Sequence, residues 1–463
     1  MNKSSAKIFQ YRGFTPFNLI FRRHFTLSPV VVLSLFLILV IIGTITLTLP
    51  ISRQGSSDTV ITDALFTASS AVSLTGLTVQ DTSTFWTPAG RIVILALIFI
   101  SGTSYLCIST FLLVRISQWF SYSSTLSLGN TLGINRRNGF SRLMVKVITF
   151  AIGIQILGSV SLFIQFYASY PVHDTIWQAT SHAISSFNNS GFMFFTSVDN
   201  FSQFQNDKRF LITTMLITFI GSLGYAVTID IVKSRSFTLL NLNSKLVVIF
   251  TGLLIIVGGI LILILEYHNP ETLGPLSAAD KVLNSLFQSI SSRSSGFSSL
   301  HINSTTDSLK FLFTGLMFVG GAAGSTAGGI KLNTFALIVL TNIAIVKGRT
   351  QIRLFGKEIP IRQGQFAIAI AIISVCLVLL STGILLILED GLNFDRLFFD
   401  TVSAFSSVGF TTGIAESVSE KGRLVLVLVM LTGRFGIVFL GLTMVNSYQG
   451  KTFRYVQERV TIG

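Results

Sequence analysis

Four short stretches carry residue types that could bind an ion without a charged ligand. They read FTASSAVSLTGL (66–77), SHAISSFNNSGF (181–192), LFQSISSRSSGF (286–297) and FFDTVSAFSSVGF (398–410). Each ends on small or polar residues, one glycine and one bulky apolar residue. The glycines Gly76, Gly191, Gly296 and Gly409 are 115, 105 and 113 residues apart. One copy would read as an ordinary turn, but four copies at a near-constant period are an internal repeat. Backbone carbonyls can replace a cation's hydration shell, and glycine lets a backbone turn its carbonyl inward at little conformational cost. The residues expected to line such a cation path are Ser73, Leu74, Thr75 and Gly76; Asn188, Asn189, Ser190 and Gly191; Ser294, Ser295 and Gly296; and Ser406, Ser407, Val408 and Gly409. Leu77, Phe192, Phe297 and Phe410 should pack outward as anchors. Asn188 and Asn189 are expected to hold loop geometry rather than to bind ions through their side chains.

Two further features stand out. GGAAGSTAGGIK (320–331) holds Gly320, Gly321, Gly324, Ser325, Thr326, Gly328, Gly329 and Lys331 inside an apolar run. The four-residue spacing of Gly320, Gly324 and Gly328 fits a close helix-packing face. The same residues are poor helix formers, and the run 310–341 is too long for one span, so a broken helix with a loop at membrane depth fits equally well. A phosphate-binding loop fits poorly, because no GK[ST] ending is present. Arg434 lies eleven residues beyond Arg423, which puts it about 16 Å along a helix and near mid-membrane. A charge there costs at least about 2.5–3.5 kcal/mol, so it either faces the ion path as a barrier or anchors backbone carbonyls. Arg293 interrupts the third stretch. A cation in the path would repel the ion, so its side chain should turn behind the loop, toward a carboxylate such as Asp280 or Asp400. The five histidines form no metal-binding spacing, His182 reads as a hydrogen-bonded structural residue, and Cys107 and Cys376 sit apart in predicted spans.

The elements that must position these residues follow from composition. Half of the 463 residues are hydrophobic and 11% are charged, which excludes an ordinary soluble domain. Apolar runs at about 28–50, 92–114, 144–167, 210–231, 244–265, 310–341, 366–388 and 424–446 read as eight transmembrane segments. With the N-terminus inside, the inner segments hold 21 Lys and Arg against 10 outside, and 16 of the 19 acidic residues fall outside. That satisfies the positive-inside rule, with both termini cytoplasmic and the basic balance facing lipid rather than nucleic acid. The leader, with Phe9, Tyr11, Phe14, Phe17, Phe21 and Phe25 among basic residues, suits an interfacial segment. It is not expected to be a cleaved signal peptide.

The apolar part before each glycine is about ten residues, or about 15 Å of helix, half the bilayer core. The expected fold is therefore an all-α polytopic membrane protein of four M1–P–M2 units around one pore per chain. The units are 28–115 (pore loop 59–78), 143–232 (174–193), 244–341 (279–298, gate loop 315–331) and 366–446 (395–411). They are flanked by an interfacial segment 1–27 and a tail 447–463.

These residues resemble the Trk/Ktr/HKT superfamily of potassium transporters over nearly the whole chain. The likeness is greatest to the membrane subunits of bacterial Ktr systems. All four family glycines are present, and glycine rather than serine in the first loop implies potassium preference. One glycine per loop, against the fuller signature of tetrameric channels, implies fewer ordered ion sites. The resemblance assigns 320–331 to an intramembrane loop that obstructs the pore and puts Arg434 beside it. It further implies potassium uptake across the plasma membrane, a homodimer and a cytosolic ring of nucleotide-binding regulators. ATP or ADP would act only through that ring, no covalent cofactor is implied, and a role for sodium as activator stays open. The nearest alternative is a sodium or poorly selective cation pathway in the same fold. A proton-coupled transporter lacks a mid-span Asp or Glu, and an intramembrane enzyme lacks HExxH, a buried Asp pair or a Ser–His pair.

Overall fold

The structure is a computed structural model that describes residues 29–54, 60–120, 139–168, 170–195, 201–349 and 351–436. The interfacial leader, the C-terminal tail and residues 437–446 of the last expected span lie outside the described residues.

The described chain is mostly helical. The helices are α1 (Pro29–Thr48), α2 (Val60–Ser73), α3 (Pro88–Phe120), α4 (Gly139–Phe166), α5 (Val172–Asn188), α6 (Lys208–Ser234) and α7 (Leu242–Glu266). They continue with α8 (Ala278–Ser291), α9 (Asp307–Phe318), α10 (Leu332–Val346), α11 (Ile361–Leu388), α12 (Phe394–Ser406), α13 (Ile414–Ser417) and α14 (Glu420–Leu431). A small antiparallel hairpin, β1 (Ile352–Leu354) with β2 (Lys357–Ile359), joins α10 to α11.

Six helices (α1, α3, α4, α6, α7 and α11) are long and apolar enough to cross a membrane. They are apolar on every face rather than on one stripe. Ile41 and Ile45 on α1, Leu157 and Ile164 on α4 and Leu380 on α11 are all exposed, as lipid-facing residues should be. Four shorter helices, α2, α5, α8 and α12, precede the four glycines. They are buried despite their Ser, Thr and Asn content, so the core is polar where the outer wall is oily.

The two remaining predicted spans are not single straight helices. The 310–341 run breaks after Phe318, leaving the 12-residue α9, a non-helical stretch 319–331 and the 15-residue α10. The expected loop 315–331 is thus too long at its start. Gly315–Phe318 stays in α9, because only from Val319 does the backbone leave helical geometry. In the last run α14 passes into one turn of π-helix over Thr432–Gly436.

The helices pack in a cyclic order. Each short helix lies on the long helix before it: α2 on α1, α5 on α4, α8 on α7 and α12 on α11. Each is also flanked by a helix from another part of the chain: α5 by α3, α8 by α6, α12 by α9 and α2 by α14. The last contact closes the circle and carries an ion pair, Arg423 Nη1 to the fully buried Asp63 at 2.7 Å. Two buried glutamates fasten the helix tops. Glu266, ending α7, accepts bonds from the backbone N–H and hydroxyl of Thr306, the N-cap of α9. Glu389, just after α11, accepts them from Ser419, the N-cap of α14. A carboxylate at a helix N-terminus satisfies orphan donors and meets the positive end of the dipole.

Candidate functional site

The four glycines meet. A methyl group on Gly76 would lie 2.4 Å from the Ser190 carbonyl oxygen, and one on Gly191 2.7 Å from that of Ser295. On Gly296 it would lie 2.0 Å from the Val408 oxygen, and on Gly409 2.2 Å from that of Thr75. Each glycine thus abuts the carbonyl before the next glycine, and the fourth abuts the first. All four have positive φ, from +70° to +96°, so both space and backbone conformation demand glycine. The residues on either side of each glycine are buried while the glycine itself is partly accessible. Among the described residues, no hydrogen bond reaches the carbonyls of Thr75, Ser190, Ser295 and Val408 or those of the four glycines. Buried carbonyls are nearly always paired, so a ring of bare ones calls for water or a cation.

The local sequence explains how each strand leaves its helix. In α2, α5 and α12 the helix ends in a Schellman turn, with Leu74, Asn189 and Ser407 left-handed. Thr75, Ser190 and Val408 then donate back five residues, to the carbonyls of Ser70, Ser185 and Ser403. Serine hydroxyls from the helix ends brace the far side of the glycines. Ser185 Oγ donates to Phe192 O at 2.7 Å, Ser291 Oγ to Phe297 O, and Gly409 N donates to Ser403 Oγ at 3.0 Å. The third strand differs. Only four residues separate Ser291 from Gly296, against five between Ser185 and Gly191, and no left-handed residue intervenes.

The bulky residues after the glycines are buried, each among side chains from elsewhere in the circle. Leu77 joins the cluster of Val402, Leu426 and Met430, and Phe192 that of Val72, Trp86 and Tyr105. Phe297 stacks on Phe201, and Phe410 meets Phe313 edge-on at 5.3 Å between centroids. His182, buried among the same rings as Phe297, bonds Thr214 Oγ1 at 3.0 Å.

The stretch 319–331 lies against this ring. Its neck is closed by Gly320 N to Ile330 O, Ile330 N to Phe318 O and Leu332 N to Gly321 O. Gly324 has φ +85° and Gly329 +66°. A methyl on Gly328 would meet Ser406 O at 2.1 Å, and one on Gly320 would meet Gly328 O. The loop docks on a kink in α6 at Gly224: Ala322 N donates to Ser222 O, Thr326 N to Gly221 O, and Gly224 lies against Gly324 O. Asn189 Nδ2 donates to Thr326 Oγ1 at 2.7 Å, and Thr326 Oγ1 in turn to Phe187 O at 3.1 Å. Asn188 Nδ2 turns back to Ile184 O. Among the described residues, the buried hydroxyls of Ser325, Ser406 and Ser407 find no partner.

Three cations reach the loop's carbonyls. Arg434 Nη2 donates to Thr326 O, Lys331 Nζ to Ala327 O and Arg293 Nη2 to Gly320 O at 3.3 Å. The Arg434 guanidinium also lies over the Tyr105 ring at 3.9 Å, with Lys331 Nζ 5.4 Å from the same centroid. Of the two readings of Arg434, the contacts are those of an anchor. The expected carboxylate partner of Arg293 is corrected. Asp280 pairs with Lys208 at 3.2 Å outside the spans, where the Ser277 hydroxyl and then Lys208 hold its carboxyl below the usual range. Asp400 accepts from Thr411 and Thr412. The sequence reading also missed the bracing serines, Tyr105 and the Gly224 kink. Tyr105 could have been found as a phenol at the middle of an apolar span, where a polar group needs a partner.

A family profile described as TrkH, cation transport protein, matches residues 25–455. The chain is 32% identical over 439 residues to Ktr system potassium uptake protein B of Vibrio alginolyticus, covering 94% of this chain and 95% of the other. The chain belongs to the TrkH cation transport family. This TrkH-family protein is also 32% identical to potassium/sodium uptake protein NtpJ of Enterococcus hirae, over 94% of this chain and 98% of the other. Its structure matches the crystal structure of the potassium transporter TrkH from Vibrio parahaemolyticus with a TM-score of 0.67 at 18% identity, covering 92% and 86% of the two chains. That likeness shows a shared fold. Family membership and the apolar helices together make the TrkH-family protein a multi-pass membrane transport protein.

Proposed function

We propose that the chain conducts potassium into the cell through one pore formed by four M1–P–M2 units, with the glycine ring as its selectivity filter. The single observation that carries this reading is the closed circle of Gly76, Gly191, Gly296 and Gly409 with bare carbonyls between them. Main-chain oxygens held by buried helices and bulky apolar anchors can exchange for an ion's water at a fixed geometry. Stretch 319–331 is the gate, tied beneath the ring by Arg434 and Arg293 and braced internally by Lys331. The bare serine hydroxyls beside it suit a hydrated path. The termini are cytoplasmic on the charge distribution, and the basic inner segments, including Lys347, Arg349, Arg353 and Lys357, suit a nucleotide-binding regulator beneath a homodimer. The likeness to two Ktr system potassium uptake proteins supports potassium as the cargo.

The test is ion flux in proteoliposomes. Potassium and rubidium should pass in preference to sodium, without a proton gradient, and Gly76→Ser should admit sodium. A flux that required a proton gradient and ignored Gly76→Ser would refute the filter. A second reading, a pathway shared by potassium and sodium, is favoured by the likeness to a potassium/sodium uptake protein and is separated by the same ratio.

A further inference from the structure

We propose that Arg293 is a positioning residue that couples the third strand of the ring to the neck of the gate loop, so that ion occupancy at the ring changes how firmly the loop is held. This rests on the proposed reading of the ring as filter and the loop as gate. Four observations carry it. First, the third strand is one residue shorter than the second and fourth between its bracing serine and its glycine. It lacks the left-handed turn residue that the others use to end the helix. Second, the residue three before each glycine is Ser73, Asn188, Arg293 or Ser406, and among the described residues only the third sends a side-chain hydrogen bond beyond its own helix and strand. Ser73 Oγ and Asn188 Nδ2 bond back onto their own helices, to Ser69 O and Ile184 O.

Third, Arg293 is 5% exposed, and the hydrogen bond recorded for it crosses to Gly320 O; its Nε has no partner. A buried guanidinium left facing one carbonyl is poorly compensated, so packing alone does not account for an arginine there. Fourth, Gly320 belongs to the loop's neck, where its own N–H bonds Ile330 O. Lys331 and Arg434 hold the other half of the loop, at Ala327 and Thr326. Arg293 therefore ties the neck to the third strand, whereas the tip is held by Arg434 and by Asn189 of the second strand. A strand that shifts as an ion enters or leaves carries the Arg293 backbone with it, three residues from Gly296, and draws on Gly320.

The test uses the full-length protein with potassium, and then sodium, as the only ions varied. Hydrogen–deuterium exchange over 319–331 is followed at both conditions, alongside rubidium uptake into proteoliposomes. In the unsubstituted protein, potassium should slow exchange in this segment at least threefold relative to sodium. Arg293→Gln should abolish that difference and raise uptake at low external potassium at least threefold, with the potassium-to-sodium ratio unchanged. Arg293→Lys, which keeps one donor, should fall between the two and guards against a folding failure of the glutamine variant. The proposal is overturned if the unsubstituted protein shows no ion-dependent exchange there. It is equally overturned if Arg293→Gln alters the ion ratio while leaving exchange and the potassium dependence of uptake as they were. Gly296→Ala run in parallel separates the two levels: if it leaves the ion ratio intact, the filter reading itself fails, whatever Arg293 does.

Discussion

The four ring glycines are not equally crowded, and that inequality can be tested. Adding one methyl group at each, by Gly→Ala, forces the facing carbonyl to retreat. A methyl carbon does not approach an oxygen closer than 3.0 Å, and the contacts are 2.0 Å at Gly296, 2.2 Å at Gly409, 2.4 Å at Gly76 and 2.7 Å at Gly191. The required retreats are the differences, about 1.0, 0.8, 0.6 and 0.3 Å in that order. Each alanine also bears a left-handed backbone, at roughly 1–2 kcal/mol. Because the facing atoms are main chain on a buried strand, no side-chain rotation can absorb the shift. A carbonyl displaced by about 1 Å no longer meets a dehydrated potassium ion at the geometry of its neighbours, and a loss of about 1.4 kcal/mol there is a tenfold loss of discrimination. The assay is the ratio of potassium to sodium influx into proteoliposomes for four single variants, each first shown monodisperse by size exclusion. Gly296→Ala and Gly409→Ala should lower the ratio about tenfold or more, and Gly191→Ala about threefold or less, with Gly76→Ala between. Folded Gly296→Ala with an unaltered ratio, or an order that ignores the contact distances, would refute the ring as the seat of selectivity.

Three further outcomes follow from the contacts. Arg434→Ala removes the donor to Thr326 O and the cation over Tyr105, so basal uptake without any cytosolic partner should rise several-fold in proteoliposomes. Glu389→Ala strands the N–H and hydroxyl of Ser419 at the top of α14; at about 1.5–3 kcal/mol per bond to a charged acceptor, thermal unfolding in detergent should fall by several degrees. Asp63→Asn weakens the pair that closes α2 onto α14. Breaking such a buried pair costs about 3–5 kcal/mol, and Asp63→Asn with Arg423→Gln should recover part of the lost thermal stability.

Much of the fold was open to reading because a membrane separates residue types so sharply. Six apolar runs became six long helices close to their expected ends, since in lipid a helix satisfies its own backbone. The broken helix at 310–341 was also legible, from length and five glycines within GGAAGSTAGG. Its start was misjudged because GLMF at 315–318 is helix-compatible, and what ends α9 is the tertiary docking of Gly320 and Gly321. The glycine pattern marked where the strands meet but not their order around the circle, which rests on contacts between helices hundreds of residues apart, such as Asp63 with Arg423. Arg293 was misassigned for a related reason. Charge pairing favoured a carboxylate, whereas the side chain reaches a carbonyl 27 residues on. Alignment on the glycines hid the shortening of the third strand. Alignment on Ser70, Ser185, Ser291 and Ser403 exposes it.

The asymmetry around the ring bears on how a gate of this kind can be opened. Below the ring, the chain departs from α-helix at Gly224 in α6, at 319–331 between α9 and α10, and at Thr432–Gly436 after α14, whereas α3 runs unbroken through Ser101, whose Oγ donates to Val72 O. The kink in α6 supplies the carbonyls of Gly221 and Ser222 to the loop, the turn after α14 supplies Arg434, and α3 supplies the wall on which Tyr105 receives Arg434 and Lys331. On the proposed reading, opening the path means exchanging the loop's outward bonds for water. Those bonds involve Ser222, Gly221, Phe187, Asn189, Arg293 and Arg434, about six contacts. At about 0.5–1.5 kcal/mol net for each of the four neutral bonds and about 1.5–3 for each of the two donated by arginine, the closed state is held by roughly 5–12 kcal/mol before any gain from hydrating the lumen. Moving a two-state element from 1:99 to 99:1 takes about 5.5 kcal/mol of differential affinity. A bound partner can supply that much and thermal motion alone cannot, so a loop tied by this number of bonds suits control from the cytoplasmic side. A loop held by one or two would leak, and one held by a dozen would never open.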